Sequence, residues 1–225
     1  MLRRGGIVAA LLAGIYGCAG QGHSYRYRLT VDIETPQGVR TGSTVREIQW
    51  IPQGSVSATE FTTRQRGEAV AVDLPGGQTL FVLMDTDGHE TIRAAVGQGA
   101  HGDVKTLLDR AAADREVYVY PPAAALRSLN LSYPRLVRFR DLADPKTAEF
   151  VQPDDLASTF GPGVSLKRIA LQIVDEPISN EIPKRLPWRT GFPKGKLNGD
   201  RFEDFSKREA AAHLSAFSFS TEPVK

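Results

Sequence analysis

Residues 24–34 (SYRYRLTVDIE) alternate strictly, with Tyr25, Tyr27, Leu29, Val31 and Ile33 on one side and Arg26, Arg28, Thr30 and Asp32 on the other. A period of two predicts a strand with one face in a core and the other in water. The turn-forming run Thr35-Pro36-Gln37-Gly38 follows, and residues 39–51 return as the partner, so the first element is a long hairpin. Further strands are predicted at 68–74 and 79–84, separated by Pro75-Gly76-Gly77. The mostly polar segment 52–63, opened by Pro52-Gln53-Gly54, is placed outside the sheet.

The period then changes. Val104, Leu107, Leu108 and Ala111 recur at i, i+3, i+4 and i+7, which predicts a helix over 103–114 with Asp103 as its N-cap. A short strand at 116–120 is stopped by Pro121 and Pro122, and 121–131 reads as a connector. Beyond it come a strand at 136–140, a short helix near 153–159 and a strand at 166–174, in which Ile169, Leu171 and Ile173 share a face. The stretch 177–199 is rich in proline, glycine and basic residues and reads as irregular. A final helix from Arg201 or Phe202 to His213 leads into a closing strand at 216–220, where Phe217 and Phe219 alternate with serines. The pattern as a whole predicts an α+β fold: a β-rich body of antiparallel hairpins with two or three short helices.

The first residues follow a different pattern. Arg3 and Arg4 precede the apolar run 7–15 (IVAALLAGI), which ends shortly before Cys18, the chain's one cysteine. This is the layout of an export signal, and it resembles a bacterial lipoprotein signal, whose cysteine receives diacylglycerol before the upstream peptide is removed. Cleavage after Ala19 without lipid, giving a soluble periplasmic protein, is the alternative, as is a hydrophobic N-terminus with neither fate. The run falls far short of the roughly 20 residues that span a bilayer. The predicted organisation is a signal peptide at 1–17 and a single β-rich domain at 18–225, divisible into halves at 22–125 and 126–225.

Removing that signal changes the electrostatics. The 225-residue chain holds 28 Lys and Arg against 26 Asp and Glu, and loss of Arg3 and Arg4 leaves 26 against 26. A neutral domain gives no electrostatic case for nucleic acid, which requires clustered cations to neutralise phosphates. With no cysteine pair left, packing must hold the fold.

Two stretches, YRYRLTVDIETPQGVRTGS and YPRLVRFRDLADPKTAEFVQPDDLASTFGPGVSLKRIALQIVDEPI, with the later KRLPW, resemble an uncharacterised family of bacterial envelope proteins. The resemblance implies an envelope location and no particular activity.

Candidate chemistry is sparse. Residues 97–102 (GQGAHG) have the G-x-G-x-x-G spacing ahead of a helix, and with 92–96 as a strand they would open a dinucleotide-binding unit. However, no acid closes the next strand to hold a ribose, and Asp103 would set a negative charge beside the pyrophosphate, so a plain glycine loop is predicted. Asp85-Thr86-Asp87-Gly88 has part of a calcium loop, yet Leu83 and Ala94 fall at ligand positions. His23, His89, His101 and His213 are scattered and form no metal-ligand spacing. The most suggestive surface feature is Lys184, Arg185, Trp188 and Arg189, which could contact a partner or membrane. The favoured reading, however, is a loop whose Trp188 anchors it to the core while its charges stay in water. These features predict a non-enzymatic cell-envelope lipoprotein facing the periplasm, a binding or structural module without cofactor. Its expected partners are the membrane, through its lipid, and another envelope protein. An exported hydrolase, with its site assembled only in the fold, is the alternative.

Overall fold

The computed structural model describes residues 23–52, 61–84, 88–97, 103–190, 192 and 194–222. Cys18, the acidic turn at 85–87 and residues 98–102 of the glycine run lie outside the described residues. Among the described residues the fold is α+β, with nine strands in two antiparallel sheets and five short helices. In chain order the strands are β1 (Ser24–Glu34), β2 (Arg40–Pro52), β3 (Phe61–Arg66), β4 (Val70–Leu74), β5 (Gln78–Val82), β6 (Val117–Val119), β7 (Leu136–Phe139), β8 (Ala148–Val151) and β9 (Ser165–Ile173). The helices are α1 (His89–Ile92), α2 (Val104–Asp114), α3 (Ala123–Ser128), α4 (Ala157–Phe160) and α5 (Ile182–Arg185). The front sheet runs β3-β2-β1-β9-β6 and the back sheet β4-β5-β7-β8. Residues 126–225 therefore contribute strands to both sheets begun by the residues before them.

Register follows the period-two pattern. Leu29 sits between Thr44 and Leu171, and Val31 between Gly42 and Ile169. Tyr27, Leu29, Val31 and Ile33 are fully buried, in one core with Val70, Val72, Leu80 and Val82 of the back sheet and Ile92, Leu107 and Leu108 of the helices. A one-residue slip of β1 would expose all four apolar chains. The sheets approach closely where β2 meets β4: a Cβ on Gly42 would lie 2.3 Å from the Ala71 carbonyl oxygen, so this position excludes any larger residue. Beside it the fully buried Arg46 ties the sheets together, its Nε donating to the Glu68 carbonyl at 2.8 Å and its Nη2 to that of Val82 at 3.1 Å.

Several expected features differ. Asp32, placed on the wet face by alternation, is only 7 % exposed, because Arg168 and Thr41 on the flanking strands close over its carboxylate at 2.7 Å each. Residues 61–63 belong to the front sheet as the start of β3, where the β-branched Thr62 and Thr63 pair with Ile51 and Trp50. Residues 92–96 form the end of α1 and a π turn rather than a strand. The connector at 121–131 contains α3, and β8 lies in a stretch with no predicted element.

The largest departure is the C-terminal region. No helix spans 201–213 and no strand forms at 216–220; the chain makes 3-10 turns at Ala210–Ala212 and Ala216–Ser218, with one isolated bridge from Ser220 to Glu68. Side chains hold the backbone in turns here: Asp204 accepts from the Ser206 N–H at 3.0 Å, and Asn198 from the Asp200 N–H at 3.0 Å. Such local acceptors compete with helical hydrogen bonds. The apolar stripe that a helix would bury is not buried, since Phe202 and Phe205 are 72 % and 84 % exposed. Leu197, Ala211, Leu214 and Phe219 pack instead with Ile182 and Leu186 on Phe81, Leu83, Val137 and Phe139 of the back sheet, forming a second core on its outer face.

Candidate binding groove

An apolar-lined concavity lies where α3, β7 and β8 meet. Three alanines favour helix after Pro122, and Leu126 turns into the core. The helix stops because Asn130 takes a left-handed conformation (φ 54°), which asparagine tolerates better than most residues. The Leu131 N–H then bonds back to the Leu126 carbonyl at 2.9 Å. This reversal lays Leu131 and Tyr133 beside the helix. Tyr133 is fixed twice, its ring stacked on Tyr120 at 6.2 Å and its hydroxyl donating to the Pro121 carbonyl at 3.2 Å. Burial, and then the nearby Asp154 charge, raise its phenol pKa above the ordinary value.

The resulting groove encloses about 440 Å³, within the range of small-molecule sites. Leu126, Leu136 and Val151 are buried beneath it, while Leu131, Tyr133 and the 38 %-exposed Phe150 line its walls. At the rim Arg127 reaches across to Asp154 at 3.5 Å. Arg135, also on the rim and exposed, forms no ion pair or side-chain hydrogen bond among the described residues.

A second concavity, a polar trough of about 540 Å³, runs between the edges of β2 and β4. The chain itself occupies one end. The Ser179 N–H donates to the Val45 carbonyl at 3.1 Å and its Oγ accepts from the Val45 N–H at 2.9 Å, as an added strand would. The buried Glu68 carboxylate accepts the backbone N–H groups of Glu181 and Ile182 at 2.8 Å each. Desolvation raises the Glu68 pKa above its ordinary value, against those hydrogen bonds.

The four residues singled out in the sequence do not share a surface. Lys184 pairs with Glu181 at 2.8 Å and Arg185 holds Asp73 through two bonds of 2.6 and 2.9 Å, both at the surface. Trp188 turns inward, its indole N–H donating to the Leu142 carbonyl at 3.0 Å and its ring meeting Phe139, Phe192 and Phe219. Arg189 is buried and donates to the carbonyls of Ser220 at 2.7 Å and Ala216 at 3.3 Å. Of the glycine run, Gly97 ends the π turn and Asp103 caps α2, its carboxylate accepting from the Thr106 N–H at 2.9 Å. The strand that should precede a dinucleotide loop is absent from that place. His213 bonds Glu203 at 2.9 Å and the Lys207 carbonyl at 2.8 Å through its two nitrogens.

Sequence reasoning missed Arg135, Tyr133 and Phe150. Their trace in the sequence is slight: an aromatic-proline pair before an arginine (Tyr133-Pro134-Arg135) in a stretch that reads as connector and strand. Among the described residues no group of His, Cys, Asp and Glu could hold a metal ion, and no helix is long and apolar enough to cross a membrane. No protein-family model matches the chain, and no curated protein or solved structure matches it.

Proposed function

We propose that this protein is a non-enzymatic cell-envelope lipoprotein, held to the membrane by diacylglycerol on Cys18 and facing the periplasm, whose folded domain binds a small ligand in the groove between α3, β7 and β8. The single observation that carries the binding role is the groove itself: an apolar-walled cavity of about 440 Å³ with an arginine at its rim that has no ion-pair partner among the described residues. Apolar walls with a few placed polar groups are what small-ligand sites require. The address rests on the arginine pair, the apolar run and the lone cysteine. A hydrolase gains nothing from the His213–Glu203 pair, because the second ring nitrogen, which would have to act as base, is already engaged by the Lys207 carbonyl.

Two experiments test the two halves of this reading. Metabolic labelling with a fatty acid should mark the wild-type protein and not Cys18→Ser; an unlabelled wild type removes the lipid anchor. Nile red, a neutral apolar dye, should bind the mature domain and lose that binding in Ala123→Phe, which fills the groove from α3. Equal binding by the two forms would place the dye elsewhere and remove the groove as the site.

A further inference from the structure

Resting on the groove as the binding site, the charges at its rim narrow the ligand class. Two guanidiniums, Arg127 and Arg135, border the cavity with one carboxylate, Asp154. Arg127 and Asp154 face each other at 3.5 Å and offset one another, which leaves the net positive charge of Arg135. An exposed guanidinium is a planar fork that matches a carboxylate in two parallel bonds. Below it the walls are Leu126, Leu131, Leu136, Val151 and the rings of Tyr133 and Phe150. The Tyr133 hydroxyl is already satisfied by the Pro121 carbonyl, so the interior offers a ligand apolar surface and no free phenol donor.

We propose that the groove takes a single-chain acyl carboxylate, its hydrocarbon against the leucines and its head on Arg135. A monoanion fits the rim better than a phosphate dianion because the Asp154 carboxylate borders the same cavity and would repel a second charge. A two-chain lipid brings more apolar volume than one groove of this size encloses. Arg135 also borders a smaller recess of about 250 Å³ beside Phe217 and Ser218, so the test includes a variant on each side of it.

Isothermal titration of the mature domain with decanoate, decanol and decylammonium, which share one tail, isolates the head group. Decanoate should bind about fivefold more tightly than decanol, the size of an exposed charge pair, and decylammonium more weakly than either. The gap should close in Arg135→Gln and shrink in 0.5 M salt, while decanol binding stays. Ala123→Phe should abolish binding of all three, and Phe217→Ser should change none. Equal affinities for decanoate and decanol, or a preference for decylammonium, would overturn the acyl-carboxylate assignment while leaving the groove as a binding site. Loss in Phe217→Ser but not in Ala123→Phe would move the ligand to the recess and overturn it too. If none of the three tails binds, the groove reading falls with it.

Discussion

The front sheet and the C-terminal layer satisfy their backbones differently, one by a regular ladder and the other by local turns and single cross-links. In the front sheet, β1 pairs along its length with β2 on one side and β9 on the other, so hydrogen bonding is repetitive and no single side chain sets it. In residues 175–222 the ladder gives way to short backbone turns and isolated backbone bonds such as Leu197 N–H to Leu214 and Thr221 N–H to Gly67, reinforced by individual side chains. Glu68 accepts two N–H groups, Arg189 donates to two carbonyls, Trp188 to a third, and His213 bridges Glu203 and Lys207. A ladder distributes stability over many residues, whereas a layer of this kind concentrates it in a few. Apart from the buried Arg46 and Asp32, polar substitutions should therefore matter less in the first region than in the second, while apolar ones should dominate the first.

The largest effect is expected from Leu29→Asp, which puts an unpaired charge between Thr44 and Leu171; a loss on the order of 4 kcal/mol in urea unfolding is predicted. A near-wild-type midpoint would break the face assignment. Next comes Glu68→Ala, which strands the N–H groups of Glu181 and Ile182 and should cost about 2–3 kcal/mol. Glu68→Gln keeps an acceptor without the buried charge and should cost less than about 1 kcal/mol.

The same pair of proteins gives a pH signature. Because the folded Glu68 pKa is raised above 4.5, the neutral carboxyl contributes its full stability below that value, and the contribution is lost as pH rises through the folded pKa. Wild type should thus lose stability relative to Glu68→Gln with rising pH across that window; a widening gap in the other direction would contradict the burial of this acid. Trp188→Phe, which keeps a ring and loses the bond to Leu142, should cost about 1 kcal/mol. Arg28→Ala removes an exposed ion pair with Glu176 and should change stability by well under about 1 kcal/mol. The smallest effect is at His213, whose pKa is raised above 6.5 by Glu203 and then by the Lys207 carbonyl. The charged ring steadies its loop below that value and ceases to do so as pH rises through the folded pKa. A proton NMR titration should place the midpoint above 6.5 and find it lowered in Glu203→Gln.

What could be read from the sequence divides along the same line. The hairpin β1–β2, the stripe of α2 and the α+β class follow from periods of two and 3.6, because a ladder or a helix imposes its repeat on every residue. The final helix does not form although its spacing is present, because Asp204 and Asn198 offer the backbone nearer acceptors and Phe202 and Phe205 stay exposed instead of forming a buried stripe. Asp32 is buried although it lies on the face that alternation assigns to water, since Arg168, which closes over it with Thr41, comes from β9, far away in sequence. The groove depends on a left-handed Asn130 and on the pairing of β7 with β8, neither of which leaves a repeat.

Amide hydrogen exchange across the mature domain, followed by mass spectrometry, compares the two regions in one measurement. Peptides from β1, β2 and β9 should exchange only at the rate of global unfolding, those from 177–222 faster through local opening, and Glu68→Ala should accelerate the second group alone. Uniform protection of both regions, or a front sheet that opens before the C-terminal layer, would contradict the division into a laddered frame and a layer of local turns cross-linked by side chains.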